Sequence, residues 1–281
     1  MKGDVVGAIS DWVAGRSASL TWLEADRYVW SFFAGRPENW HSDPAGVAAA
    51  TSKAQAMLRS DVLELSLTGP FAAGLAAAAG VEAVTEALAS EQGRRVLAET
   101  VDALDYALGA STDLALVCPS PRRLLGGVEE VDFYAMDDVA TALLEVARSV
   151  AGHRLAALVI VASPPSEDER ESWSTMIQAA AHYGWASVAR LEGVASAAGP
   201  AQLVDTDLVL LPDASPAGLG EERRYGGGLV REFWENSAEA DLVAVDALAR
   251  PFRFGQVPIQ VEPEAVLRRL DQLASARDGR I

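Results

Sequence analysis

The sequence predicts an α/β protein with a parallel sheet, and the most economical form of it is a single closed (β/α)8 barrel. Several short segments are apolar almost without interruption, which is typical of strands covered on both faces. Helical patterns lie between them, as parallel neighbouring strands require. The chain has 281 residues, and no change of composition marks a linker. A single domain spanning residues 1–281 is therefore favoured, with a doubly wound parallel sheet as the alternative.

The first part of the chain alternates regularly between the two patterns. A helical extension of about residues 1–16 precedes the first strand. The predicted elements then follow in this order: strand 17–24, helix 26–35, a polar loop, helix 45–59, strand 61–67, alanine-rich helices over 71–108, and strand 112–119.

The second part continues the alternation with shorter connections. Its predicted elements are helix 137–152, strand 155–163, helix 166–184, strand 185–192, strand 206–213, strand 240–247 and helix 263–277. Ser166 and the acidic residues after it form a favourable helix start. The glycine-rich segment 223–234 is interpreted as a mobile loop that enters a helix.

The segment LELSLTGPFAAGLAAAAG (63–80) joins a strand to a helix through a Gly-Pro corner. At the carboxyl rim of a barrel the chain must turn outward within a few residues. Gly69 tolerates the backbone angles of such a corner, and Pro70 is acceptable in the first turn of a helix. The alanine helix lacks a polar face, so we expect it to lie close against the sheet.

Charge and composition exclude several classes of protein. The formal net charge is −17, which disfavours nucleic acid and anionic membrane surfaces as partners. The single cysteine excludes an internal disulfide and fits a reducing compartment. There is no signal-peptide pattern and no apolar run long enough to span a membrane, so a cytoplasmic location is expected. Walker A, dinucleotide-binding, nucleophile-elbow and paired Cys-x-x-Cys motifs are also absent.

Two segments resemble a known superfamily. LSLTGPFAAGLAAAAG (65–80), followed by the long helix 91–109 and the strand and loop 113–127, is similar to the Gly-Pro-Phe/Trp stretch of the uroporphyrinogen decarboxylase and cobalamin-independent methionine synthase superfamily. WLEADRYVW (22–30) resembles the amino-terminal Trp-Leu-Met-Arg-Gln-Ala-Gly-Arg-Tyr motif of the decarboxylase. The matching residues there are Trp22, Leu23, Ala25, Arg27 and Tyr28.

The resemblance implies a (β/α)8 barrel and, from the decarboxylase branch, an arginine that binds a substrate carboxylate. Only Arg27 is in place for that role, because Glu24 stands where the motif has its first basic residue. The acidic residue that the family has after its third strand is absent. The methyl-transfer branch binds zinc through a His-x-Cys pair and a later cysteine, and this chain has one cysteine and no such pair.

Candidate functional residues are those that follow the predicted strands, since barrel active sites gather at that face. Asp26, Arg27 and Tyr28 are the predicted catalytic group, because an acid, a fixed cation and a phenol can orient and protonate an anionic substrate. The predicted substrate-binding residues are Trp22, His41, Thr68, Gly69, Phe71, Cys118, Ser120 and Asp213. Glu24, Ser163, Glu192 and Asp246 also follow predicted strands.

These features together predict a metal-independent, lyase-type enzyme that resembles the decarboxylases and acts on a small carboxylated molecule without a cofactor. The three histidines are far apart in the sequence, so no metal site is expected. Two alternatives remain open: a catalytically silent barrel that serves as a binding or partner subunit, and a group (methyl) transferase that works with a partner protein. A homodimer is also possible.

Overall fold

The computed structural model confirms the barrel. Eight strands, all parallel, pair in sequence order, and the last strand pairs with the first to close the barrel. The structure describes residues 7–38, 40–128, 130–235, 238–261 and 263–277. The first residues of the predicted helical extension, 1–6, lie outside the described ranges.

The strands are short, and each connection returns the chain to the same end of the barrel. Their bounds are β1 Leu20–Glu24, β2 Val62–Ser66, β3 Asp113–Pro119, β4 Ala157–Ala162, β5 Ala186–Leu191, β6 Leu208–Leu211, β7 Tyr225–Gly228 and β8 Phe252–Gln256.

Helices surround most of the barrel. Their bounds are α1 Ala8–Val13, α2 Asp26–Phe32, α3 Pro44–Leu58, α4 Ala72–Ala77, α5 Val81–Leu88, α6 Glu91–Leu108, α7 Pro121–Leu124, α8 Phe133–Arg148, α9 Glu167–Ser172, α10 Ser174–Tyr183, α11 Ala238–Ala249 and α12 Pro263–Arg277. The β5–β6 and β6–β7 connections contain short 3-10 turns in place of α-helices. None of the described helices is both long and apolar enough to cross a membrane.

Alternation of side chains along the strands divides the core into layers. Trp22, Val159, Leu210 and Phe254 belong to a cluster inside the barrel. The intervening residues of β2 to β6 pack outward against α5, α6 and α8. A third cluster joins α2, α3, α11 and α12 on the other side.

Helix α1 closes the amino-terminal end of the barrel. Ile9 and Trp12 are each 1% exposed and pack with the interior cluster. The Trp12 ring lies 5.5 Å from that of Phe252, and its Nε1 donates to the carbonyl of Arg223 at 3.0 Å. The Asp113 carboxylate accepts a hydrogen bond from the Ile9 amide at 2.8 Å. Helix α1 therefore fills the amino-terminal end of the barrel.

The predicted strand 240–247 was wrong, because the segment lies within α11. A short continuous apolar run fits a buried helix as well as a buried strand. Ala244, Ala247 and Leu248 are buried on the helix. Asp246 consequently does not follow a strand.

The glycine-rich segment also differs from expectation, since residues 225–228 form β7 rather than a loop. A Cβ on Gly226 would lie 2.6 Å from the Phe252 ring, and one on Gly227 would lie 2.8 Å from the Leu211 carbonyl oxygen. The glycines allow neighbouring strands to pack closely. From composition alone, the same glycines indicate a flexible loop.

The Gly-Pro corner after β2 is a 3-10 turn, Gly69–Phe71, but the alanine helix behaves differently from the prediction. No residue of α4 is buried, so this helix does not lie close against the sheet. Phe71 provides the packing instead: it is 3% exposed, and its ring occupies the place where a Cβ of Gly93 on α6 would stand.

Candidate functional site

The carboxyl ends of the strands surround an open mouth with two adjoining cavities. The first lobe has a volume of about 220 Å³ and is lined mainly by residues from β1 to β5. The second lobe has a volume of about 230 Å³ and is lined by residues at the ends of β1, β6 and β8 and near the end of β7. Glu24 lines both lobes, so we treat them as one site.

Glu24 is the last residue of β1 and points to the same side as Trp22, two residues earlier. Burial of the carboxyl group raises its pKa to about 7, and the negative charge of Glu64 adds to the effect. Arg190 opposes the increase, whereas Asp26 and Glu192 add smaller contributions to it. A pKa raised in this way suits a group that donates or accepts a proton near neutral pH.

A buried ion pair lies beside Glu24 inside the barrel. Arg190 of β5 donates from Nη1 to Oε2 of Glu64 on β2 at 2.7 Å. The side chains are 10% and 6% exposed, respectively. Trp22 Nε1 donates to the other carboxylate oxygen of Glu64 at 2.9 Å. Burial alone lowers the pKa of Arg190, but Glu64 and Glu24 more than offset this, so its pKa is raised.

The rim of the first lobe carries further charged groups that are better exposed to solvent. Asp26 Oδ1 accepts a hydrogen bond from Trp40 Nε1 at 3.1 Å. Arg123, from the helix after β3, pairs with Glu192 at 2.6 Å across the ends of β3 and β5. Because both partners are partly exposed, this second pair contributes at most ~1 kcal/mol to stability.

The second lobe combines basic and apolar groups. Arg27 and Arg231 line it together with Leu229, Val257 and Ile259. Arg27 is exposed, and no hydrogen bond or ion pair among the described residues engages its guanidinium group. This lobe can therefore bind the carboxylate of a ligand while apolar walls cover the rest of that ligand.

Several predicted residues meet at the mouth. Asp26 and Thr68 line the first lobe, and Arg27 and Asp213 line the second. Asp213 also accepts a hydrogen bond from the Gly193 amide at 2.7 Å.

His41 and Gly69 meet beside the first lobe. A Cβ on Gly69 would lie 2.7 Å from the imidazole ring of His41, so only glycine fits against it. The loop that carries His41 and the Gly-Pro corner after β2 are therefore packed together, although neither residue lines the two lobes.

Tyr28 does not lie at the mouth, which corrects its predicted role in proton transfer. It is 3% exposed in the outer cluster of α2 and α3, and its ring packs 4.6 Å from that of Phe32. Burial raises the pKa of its phenol. Tyr28 is on the face of α2 that packs in the outer cluster, whereas the preceding residue Arg27 lines the second lobe.

Three of the predicted binding residues are structural in this fold. Cys118 is fully buried on the helix side of β3, and burial raises the pKa of its thiol to about 12. Ser120 is 1% exposed, and its hydroxyl caps α7 by accepting from the Arg123 amide. Phe71 is in the core, as described above.

Trp22 also lies in the core, below the cavity, where its N–H supports Glu64. Its contribution to the site is thus indirect.

Glu64 and Arg190 were not among the residues predicted from the sequence. Each is a charged residue inside an otherwise apolar strand, and each points inward by alternation with its neighbours. One buried strand contains an acidic residue and another contains a basic residue. Because buried charges are usually paired, this combination is the signal that could have revealed them.

Among the described residues, no group of three or more His, Cys, Asp or Glu side chains is placed to hold a metal ion. Comparison with protein-family models finds no model that matches the chain, and a search of curated proteins finds no significant match. The resemblance to the decarboxylase superfamily therefore remains a prediction.

Proposed function

We propose that the chain is a lyase-type barrel enzyme that needs no metal and decarboxylates a small carboxylated molecule. One observation carries the proposal: Glu24 lies at the centre of an open cavity at the catalytic end of the barrel, with a pKa raised to about 7. The lyase class itself comes from the decarboxylase resemblance.

The reaction breaks the bond between the substrate carboxylate and its neighbouring carbon. The electron pair stays on that carbon, and a carbonyl or other electron-accepting group in the substrate must delocalise it. Carbon dioxide leaves, and the protonated Glu24 donates its proton to the carbon. Water then returns a proton to the Glu24 carboxylate.

The charges of the two lobes suit this reaction. Arg27 in the second lobe binds a carboxylate group of the substrate that is retained. The departing carboxylate lies in the first lobe, where Arg190 is paired with Glu64 and Arg123 with Glu192. The Asp26 carboxylate has no cationic partner among the described residues, and its charge repels the departing group. The loss of that group as neutral carbon dioxide removes the repulsion, so the transition state is stabilised more than the bound substrate.

The test is carbon dioxide release from a panel of dicarboxylic acids that carry a 3-keto group. We expect turnover of at least one member by the wild type and a loss of about 100-fold or more in Glu24→Gln, the usual range for a general acid. Glu82→Gln, an exposed change on α5, is the matched control and should keep full activity. Turnover by Glu24→Gln at the control rate, or no turnover of any member by the wild type, contradicts the proposal.

A further inference from the structure

The barrel interior contains an ion pair that stability alone does not explain. Glu64 and Arg190 come from β2 and β5, are 6% and 10% exposed, and meet at 2.7 Å. The cost of removing two charges from water commonly equals or exceeds their attraction, and apolar residues of similar size are often at least as stabilising. Such a pair is therefore a candidate for a functional role, provided that it acts on a neighbouring group.

The neighbouring group is the Glu24 carboxyl. Glu24, Glu64 and Arg190 all line the first lobe, and the two partners have opposite electrostatic effects on Glu24. Asp26, beyond the end of β1, and Glu192, beyond the end of β5, also act on it. Glu192 is balanced by Arg123 nearer to solvent.

The second lobe adds three further charged groups that share a cavity with Glu24, namely Arg27, Asp213 and Arg231. Arg27, Asp213 and Arg231 are exposed, and Asp26 and Glu192 are partly exposed, so solvent screens their charges. Of the charged groups that line the two lobes with Glu24, Glu64 and Arg190 are the ones that solvent screens least.

The pair is also held in a fixed position. Trp22 Nε1 donates to Glu64 Oε1 at 2.9 Å, while Arg190 occupies Oε2, so both oxygens of the carboxylate are engaged. Trp22 itself is fully buried in the interior cluster. The Glu64 charge therefore cannot swing away from Glu24 without breaking hydrogen bonds inside the core.

We propose that Glu64 and Arg190 are positioning residues that set how readily Glu24 accepts and releases a proton. Glu64 favours the protonated form of Glu24, and Arg190 favours the ionised form. Glu64 has the larger effect, so the pair as a whole favours the protonated form, and Arg190 limits that preference. The inference rests on the proposed role of Glu24, but it is measurable without catalysis.

The test is the titration of Glu24 in the full-length protein, observed by NMR of carboxyl-¹³C glutamate and assigned with Glu24→Gln. In Glu64→Gln the repelling charge is gone while Arg190 remains, so the midpoint of Glu24 should fall by about one pH unit or more. In Arg190→Gln the attraction that favours ionised Glu24 is gone while the Glu64 charge remains, so the midpoint of Glu24 should rise. Glu192→Gln is the matched control and should lower the midpoint by less than Glu64→Gln does.

Shifts of opposite sign support the proposal, because loss of packing alone cannot produce them. No shift in either variant, or shifts of the same sign, overturn it. If a single variant does not fold, the neutral double variant Glu64→Gln/Arg190→Gln decides: its midpoint should fall below that of the wild type, and an unchanged midpoint overturns the proposal. Turnover by Glu24→Gln would contradict the proposed function instead and leave this titration result standing.

Discussion

The two ends of the barrel both contain carboxylates, but these side chains have different partners. At the amino-terminal end, three aspartates each accept a hydrogen bond from a backbone amide at 2.8 Å. The pairs are Asp61 with Thr21, Asp113 with Ile9, and Asp207 with Ser187. At the mouth, Glu64 bonds only to side chains, and Glu24 faces an open cavity.

The difference shows how position decides the role of one residue type. A carboxylate that accepts backbone amides fixes the start of a strand or helix, and its charge is satisfied within the fold. A carboxylate beside a cavity remains accessible to a ligand, and burial together with the Glu64 charge raises the pKa of Glu24. Burial also raises the pKa of Asp113 at the closed end, but there the hydrogen bond from the Ile9 amide opposes the increase. In a barrel, the first kind contributes to stability and the second to function.

The largest effect on stability is expected at the closed end. Trp12→Ala removes a ring that is 1% exposed, and with it the contact with Phe252. The variant should lose ~3–5 kcal/mol of unfolding free energy, as buried aromatic truncations do. Chemical denaturation measures the loss, and Trp12→Phe is the conservative control. A loss below 1 kcal/mol would show that α1 does not seal the barrel.

At the mouth, Glu24 should make stability depend on pH. Its folded pKa is about 7 against an ordinary value of 4.5, so the folded state retains a proton that the unfolded state releases. Its contribution is full below about pH 4.5 and lost above about pH 7, a change of ~3 kcal/mol. The difference in unfolding free energy between wild type and Glu24→Gln, measured from pH 4 to pH 8, isolates this contribution. A difference that does not vary with pH would mean that Glu24 has the same pKa in the folded and the unfolded state.

Arg27 tests whether the second lobe binds anions. Arg27→Lys keeps the charge but loses the planar guanidinium group, so affinity for a carboxylate ligand should fall by ~1.5–3 kcal/mol. Calorimetry with an acid that binds the wild type gives the affinity, and thermal melting checks the fold. Since Arg27 is exposed, melting should hardly change. Unchanged affinity would rule out the carboxylate clamp.

The smallest effect is expected for a single carboxylate at the closed end. Asp61→Ala leaves the buried Thr21 amide unpaired and removes a charge near Arg253, which should cost ~1–3 kcal/mol of stability. Asp61→Asn keeps an acceptor oxygen and should cost less. Ligand affinity at the mouth should stay the same in both variants, as measured by calorimetry. A change of affinity would show that the closed end and the mouth do not have separate roles.

The fold was predictable where the sequence contains uninterrupted apolar runs. The strands β1 to β6 were all predicted from such runs, because a strand covered on both faces needs apolar residues at every position. β7 and β8 were not predicted, and for β7 the reason is physical. Gly226 and Gly227 are required by neighbouring atoms that only the folded structure brings close, and glycine has no apolar signal of its own.

The site was predictable at the strand ends and not inside the strands. Asp26, Arg27 and Asp213 follow strands, and the barrel rule is enough to place them at the mouth. Tyr28 was assigned there wrongly, because sequence adjacency to Arg27 says nothing about which face of a helix a side chain occupies.

The sequence by itself determined that the chain is an α/β protein with a parallel sheet, since hydrophobic periodicity is a local property. It favoured a closed barrel over a doubly wound sheet, and the structure decided for the barrel. Only the tertiary structure decided that Glu24 holds a proton near neutral pH. That property depends on burial and on Glu64 and Arg190, which come from strands far apart in the chain. Electrostatic energy depends on distance through space, and distance along the chain does not determine it.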